Sequence, residues 1–188
     1  MTYTAPVDET LERDVLAGLA CERSHALKLY PIIPADTFAA HRLHPYVFGA
    51  LRRLHLAGGG VITHETETGP DKRPRNVLEV HGFTTVFDAA YPRAGGAGPA
   101  LHLLRDALGD TAVLWPHWVD RALEFRERRR LLGLIDERMR ATSDIGELED
   151  LHSLAEYVAE PASGPLDDIT PALVGLEVPV LAHSVAAS

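Results

Sequence analysis

Cysteine and long apolar runs are scarce in this sequence. Its 188 residues include a single cysteine, Cys21, so an internal disulfide framework and a cysteine-rich metal site are both excluded. No stretch approaches the roughly 18 consecutive apolar residues of a membrane span. The first residues also lack the basic and then apolar layout of a signal peptide. These absences predict a protein of the cytoplasm.

An excess of basic residues is also missing. The sequence contains 18 Lys and Arg against 27 Asp and Glu, for a net charge of −9. Residues 141–188 contain nine of the acidic residues and neither Lys nor Arg. Proteins that bind nucleic acid tightly normally present a basic surface, because phosphate contacts supply much of their affinity. The composition therefore predicts that DNA is bound only weakly or indirectly.

Motifs of nucleotide and acyl-transfer chemistry are absent as well. The sequence has no G-x-x-x-x-G-K-[ST] phosphate loop and no G-x-S-x-G nucleophile turn. The glycine-rich residues 95–98 include Gly96-x-Gly98, but Leu101 stands where the G-x-G-x-x-G dinucleotide fingerprint has its third glycine. We therefore interpret these residues as a loop. We expect neither a bound cofactor nor catalysis.

Ten histidines make a metal site the main alternative of another class. His41 and His44 have the spacing of metal ligands, but Pro45 disfavours helical geometry at His44. The two side chains are therefore not expected to share a helix face, and no acidic partner lies at a suitable interval. We interpret the histidines as scattered surface or capping residues, and a small helical His-dependent metalloenzyme remains the alternative.

Helical periodicity dominates the remaining sequence. About 46% of the residues are hydrophobic, which is enough for a sizeable core, and apolar residues recur at steps of three and four. The predicted fold is all-α, with a compact helical head over residues 1–112. The predicted helices span residues 8–20, 45–57, 100–108, 116–140 and 144–160.

Three segments do not fit that periodicity. Residues 64–76 contain no large apolar side chain and two prolines, so residues 61–80 are predicted to be a loop insertion. Residues 77–90 are compatible with either a strand or a helix, because short apolar runs do not separate the two. The proline-rich residues 161–188 are predicted to form an irregular tail.

The two longest periodic segments are joined by only a few residues. They are therefore predicted to form an antiparallel hairpin over residues 113–160. Each helix of an isolated hairpin covers only one side of its partner, so the remaining apolar side chains predict a surface for self-association or partner binding. The residues of this predicted surface are Trp118, Ala122, Phe125, Arg129, Leu132, Ile135, Met139, Leu148, Leu151 and Ala155.

One dense basic cluster lies within this hairpin, at Arg126, Arg128, Arg129 and Arg130. Neighbouring glutamates at steps of three and four favour a solvated helix face over phosphate binding. An interhelical or intersubunit ion pair is the intermediate interpretation, because Arg129 falls within the apolar stripe.

Three stretches resemble one protein family, in its order and roughly its spacing. The first is LERDVLAGL, at residues 11–19. The second is PADTFAAHRLHPYVFGALRRLHLAGG, at residues 34–59, where the matching positions are Pro34, Asp36, Phe38, His41, Phe48, Leu54 and Gly58. The third comprises GGAGPALHLLRDAL, WVDRALEFRERRRLLGLIDE and DLHSLAEYVAE. Together they resemble the N-terminal helical domain of DnaB-type replicative helicases.

The resemblance covers about residues 8–160 and has clear departures. Gly18 falls one residue later than the family's glycine, and residues 61–80 look like an insertion. The chain also ends where the family continues into its ATPase domain.

The resemblance implies a helical head and a hairpin that pairs between subunits in a collar and helps to bind primase. It suggests a non-catalytic replication module that associates with itself, with a replicative helicase or with primase. The alternatives are a loader or inhibitor that caps a helicase collar, and half of a split helicase.

Overall fold

The computed structural model describes residues 3–21, 23–59, 63–68, 74–79, 82–108 and 116–160. These parts of the chain are predominantly helical, which confirms the predicted all-α class. The helices are α1 (Glu9–Cys21), α2 (Arg23–Leu29), α3 (His44–Leu56), α4 (Phe83–Ala90), α5 (Ala97–Leu108), α6 (Pro116–Ala141) and α7 (Ile145–Ala159). A short 3-10 turn at Ala35–Thr37 precedes α3.

Helix α1 begins where its sequence predicts. The Leu11 N–H donates to Asp8 Oδ1 at 2.9 Å, which satisfies one of the amides that the first turn leaves free. Glu9 and Glu12 lie in that turn, where negative charge suits the positive end of the helix. Val15 and Leu19 are buried on the inner face.

Helix α3 is also close to its predicted bounds. It begins at His44 with Pro45 in the first turn, where the missing N–H of proline is not needed. It ends before Gly58, whose φ of 77° is in the left-handed region that favours glycine. The Gly59 N–H then donates to the Leu54 carbonyl at 2.9 Å and closes the helix end.

The prediction of a loop over residues 61–80 is wrong in part. Strands β1 (Thr63–Thr68) and β2 (Pro74–Glu79) pair antiparallel, with Thr63 opposite Glu79 and Thr68 opposite Pro74. The prediction considered only core packing, whereas a strand pair satisfies its backbone groups between its own two strands. Three of the six β1 residues are threonines, which favour extended backbone.

Residues 77–90 contain both of the structures that their sequence allowed. The first part completes β2, and α4 follows after Gly82, whose φ is 82°. Phe83 and Phe87 are both fully buried. Their spacing of four places them on one helix face, which explains why this part is a helix.

The helices divide into two compact units. The head unit is Val7–Arg126, and the hairpin unit is Met1–Pro6 together with Glu127–Ser188. The division falls inside α6, whereas the sequence placed the start of the hairpin domain at residue 113. The core of the head unit contains Leu16, Phe48 and Leu104, among other buried side chains from α1, α3, α4, α5 and the start of α6.

The hairpin is antiparallel, as predicted. Arg128, in the middle of α6, contacts the carbonyl of Val158 near the end of α7, whereas Arg138, near the end of α6, contacts Glu147 at the start of α7. Residue numbers therefore rise along one helix as they fall along the other. The predicted tail at residues 161–188 lies outside the described residues. Within the described residues, no helix has the length and apolar character to cross a membrane.

Candidate association surface

The residues of the predicted association surface are mostly buried within the chain. Ala122, Phe125, Leu132, Ile135, Leu151 and Ala155 are buried, whereas Trp118, Arg129, Met139 and Leu148 are half-buried. One side of each helix was expected to lack internal partners, but these side chains pack within the chain.

The first turns of α6 belong to the core of the head unit. Val119 and Ala122 are part of that core, and Trp118 packs against it. The guanidinium of Arg121 lies 4.7 Å from the ring centroid of Phe125, within the range of a cation–π contact. This part of the stripe therefore packs inside the head unit.

The second half of α6 packs against α7 in a core of its own. This core comprises Leu131, Leu132, Ile135, Leu151, Leu154, Ala155 and Val158. Tyr3 and Ala5 pack against it from the N-terminal segment. Sequence analysis missed this coverage, because residues 3–6 show no helical pattern that would assign them to the hairpin.

Polar contacts hold the N-terminal segment on the hairpin. Tyr3 Oη donates to the His152 carbonyl at 3.4 Å, and the two rings meet edge to face with centroids 6.3 Å apart. Arg129 Nη1 donates to the Pro6 carbonyl at 3.2 Å. The half-buried Arg129 of the predicted surface therefore makes an intramolecular contact.

The arginine cluster is only partly a solvated face, because Arg128 is built into the hairpin. Arg128 is 0% exposed, and its Nη1 donates to the carbonyls of Tyr157, Val158 and Glu160 at 3.3, 3.2 and 3.5 Å. These carbonyls lie at the C-terminal end of α7, where the helix lacks further N–H donors and favours a cation.

The neighbouring arginines pair with carboxylates. Arg126 Nε lies 2.8 Å from Asp36 Oδ1 within the head unit. Arg130 pairs with Glu127 at 2.6 Å, and this hydrogen bond raises the pKa of Arg130. The Arg130–Glu127 pair is the i+3 pairing that the sequence predicted for a solvated helix face, whereas the Arg126–Asp36 pair joins α6 to another segment of the head unit.

Accessible apolar surface remains at the tip of the hairpin. Ile145, the first residue of α7, is 74% exposed, and Leu148 is half-buried one turn later. At the C-terminal end of α6, Met139 packs against the hairpin core but keeps part of its surface accessible. We define the tip patch as Met139, Ile145 and Leu148.

A polar network shapes the backbone beside this patch. Asp144 Oδ1 accepts from the Glu147 N–H at 3.1 Å and caps α7. Glu147 in turn accepts hydrogen bonds from the Thr142 hydroxyl and from Arg138 Nε. These two bonds lower the pKa of Glu147. The turn that presents Ile145 is therefore tied to both helices.

The prediction that the histidines lie on the surface or at caps is wrong for His44. Its side chain is fully buried, and its Nδ1 lies 2.8 Å from Glu12 Oε2. Glu12 also accepts from the Ala39 and Ala40 N–H groups at 2.9 and 3.0 Å. The acidic partner that the sequence analysis did not find lies 32 residues away. The sequence did contain a signal for this buried pair, because Glu12 lies among the apolar residues of the inner face of α1.

His55 is the second buried histidine. Its Nδ1 lies 2.8 Å from Tyr30 Oη, and its carbonyl accepts from Arg23 Nε at 3.0 Å. Burial, and then the nearby charge of Arg23, lower the pKa of His55 to about 4. Burial also raises the pKa of Tyr30.

His41 does not join His44 in a ligand set. The His41 ring lies tilted beside the His44 ring, with centroids 5.3 Å apart, and His41 Nδ1 accepts from the Leu43 N–H. Across the part of the chain that the structure describes, no group of three or more His, Cys, Asp or Glu residues is placed to hold a metal ion.

Comparisons with known proteins give one partial similarity. No family model matches the chain, and no solved structure matches it. Among curated proteins, a homoserine kinase from Rhodospirillum rubrum is 42% identical over 69 residues. The matched segment makes up 36% of this chain and 19% of that kinase. The chain thus spans about a fifth of the length of the curated relative it matches.

Proposed function

We propose that this protein is a non-catalytic association module of DNA replication, similar to the N-terminal domain of DnaB-type helicases. In this proposal it acts in the cytoplasm and binds a replicative helicase or primase, or a second copy of itself. The observation that supports it best is the helical head followed by an antiparallel hairpin with an exposed apolar tip. The absence of a phosphate loop from the sequence supports a role without ATP hydrolysis.

The tip patch is the contact that this proposal favours. The middle of the hairpin stripe is covered within the chain, so it has little apolar surface left for a partner. Ile145, in contrast, is 74% exposed and keeps apolar surface that a partner can contact. Burying an aliphatic side chain of this size against a partner contributes roughly 1.5–3 kcal/mol, which is the contribution expected of a central contact residue.

The charge of α7 favours a basic partner surface. Exposed acidic residues line this helix at Glu149, Asp150 and Glu156, and residues 141–160 include no Lys or Arg. Complementary charge accelerates association and suppresses unsuitable partners. DNA carries the wrong sign for this surface, so the proposal is protein binding.

A pull-down with purified helicase and purified primase tests the proposal. We expect the full chain to retain one of them, and Ile145→Asp to weaken that binding at least about tenfold. Ile32→Asp is the matched control, because Ile32 is 57% exposed in the head unit. Retention of neither protein by a chain that light scattering shows to be monomeric, or equal losses in both variants, would contradict the proposal.

The same reagents separate the alternative roles. A loader should raise the DNA unwinding rate of the helicase, and an inhibitor should lower it. Half of a split helicase should have no effect on a complete helicase but restore unwinding when mixed with a separate motor chain. Self-association is measured by light scattering of the chain alone, with Ile145→Asp as the variant expected to dissociate.

A further inference from the structure

A cleft in the head unit combines positive charge with an apolar wall. Its volume is about 580 Å³, within the roughly 300–1,000 Å³ of small-molecule sites. The cleft lies between α1, the residues that precede α3, and the first turns of α5. Its lining includes Glu9, Arg13, Arg42, Leu43, Pro99 and Leu103.

Two guanidinium groups dominate the charge of this cleft. Within the described residues, neither Arg13 nor Arg42 has a carboxylate partner, although most arginines of α6 have one. Arg13 Nε is buried and lacks a hydrogen-bond acceptor. Buried polar groups in native proteins are normally hydrogen-bonded, so this atom indicates an acceptor supplied from outside the chain.

The surroundings of Arg13 suit a negatively charged acceptor. The neighbouring residue, Glu12, is already engaged by His44 and by the backbone of residues 39 and 40. Gly98 and Pro99 bring the first turn of α5 to the cleft, and the positive end of a helix dipole adds to the attraction of an anion. Glu9 is the opposing charge at this cleft.

We infer that this cleft binds the phosphate or carboxylate group of a small organic molecule, with Arg13 and Arg42 on the oxyanion. Planar guanidinium groups match the geometry of these oxyanions. Leu43, Pro99 and Leu103 cover the apolar body of the ligand. This site is separate from the tip patch and does not depend on the proposed association role.

Titration of the full chain by NMR tests the site with defined probes. Phenyl phosphate and benzoate each present one oxyanion on an apolar ring, and benzyl alcohol is the uncharged control. We expect saturable shifts of the Gly98 and Leu43 amides with at least one of the anions, at a dissociation constant of roughly 1 mM or tighter. The tighter anion identifies whether phosphate or carboxylate is preferred.

Substitutions then test which charged side chains contribute to anion binding. Arg42→Gln, at an exposed residue, should weaken the binding of the preferred anion roughly tenfold to a hundredfold. Arg93→Gln removes the same charge from an exposed loop residue outside the cleft and should leave the affinity unchanged. Glu9→Gln removes the opposing charge and should tighten binding.

Three results would overturn the inference. One is the absence of saturable shifts with either anion. Another is equal binding of benzyl alcohol, which would leave no role for the charge. The last is an equal loss of affinity in Arg42→Gln and Arg93→Gln, which would show that the affinity depends only on the net charge of the protein.

Discussion

At the scale of single residues, Glu12 is a buried polar group that links two segments of the head unit. It is 2% exposed and joins α1 to the segment that leads into α3. Glu12→Ala leaves the buried His44 side chain and the N–H groups of Ala39 and Ala40 without their acceptor. A buried donor left without its acceptor costs about 1–3 kcal/mol, so we expect a loss of that size in the free energy of unfolding, measured with urea.

The control for Glu12 is an exposed glutamate on another helix. Glu137→Ala, on the surface of α6, should change the same free energy by less than about 0.5 kcal/mol. A Glu12→Ala protein as stable as Glu137→Ala would mean that water replaces Glu12 without cost.

His55 makes the stability of the head unit depend on pH. Its pKa is about 4 in the folded chain, against 6.5 for a free histidine. The unfolded chain therefore binds the extra proton between these values, so stability is complete above pH 6.5 and falls as the pH drops toward 4. The shift corresponds to a loss of roughly 3 kcal/mol at the acid end of this range.

A substitution isolates this contribution from the carboxylates that titrate in the same range. His55→Gln removes the titrating ring, so its free energy of unfolding should fall less between pH 7 and pH 5 than that of the unchanged protein. Urea unfolding at both pH values measures the difference. Equal pH dependence in the two proteins would show that His55 is not responsible.

At the scale of elements, Arg128 ties the two helices of the hairpin. Arg128→Met keeps the apolar stem but leaves the carbonyls at the end of α7 without their charged donor. We expect a loss of about 3 kcal/mol in stability and faster amide exchange in the last turn of α7. Arg130→Met breaks only a partly exposed pair with Glu127 and should cost less than about 1 kcal/mol.

The hairpin also separates residues that stabilise the fold from residues free to bind a partner. Leu132 is in the hairpin core, so Leu132→Asp should destabilise the protein by at least about 3 kcal/mol, because it buries a charge and removes packing. Ile145→Asp should leave stability within about 0.5 kcal/mol. Thermal unfolding measures the stability of the two variants, and parallel light scattering measures their self-association. A stable Leu132→Asp protein that has lost self-association would restore the predicted stripe as the interface.

At the scale of the whole molecule, charge and motif content lead to two predictions, one about DNA binding and one about ATP hydrolysis. With a net charge of −9, and with Arg126, Arg128, Arg129 and Arg130 all engaged within the chain, single-stranded DNA should bind only weakly at physiological salt. Without a phosphate loop, the purified protein should not hydrolyse ATP. Fluorescence anisotropy measures the DNA binding, and the release of inorganic phosphate measures ATP hydrolysis. Nanomolar DNA binding, or ATPase activity that survives further purification, would contradict the proposed role.

The sequence by itself determined most of the helices of this protein. Spacings of three and four residues, Asp8 and Asp144 as caps, and Gly58 as a stop all act through neighbours within one or two turns. Their effect is therefore readable from a short window. The resemblance in residues 8–160 rests on the same local patterns and leaves the partner a proposal.

Only the tertiary structure decided which surfaces remain free. The apolar stripe of α6 and α7 looked exposed because its covering groups, Tyr3 and Ala5, lie more than a hundred residues away along the chain. The partner of Glu12 lies 32 residues away along the chain, and the pairing of β1 with β2 came from backbone groups that carry no side-chain pattern. Burial depends on which distant segments meet, and local periodicity contains no information about that meeting.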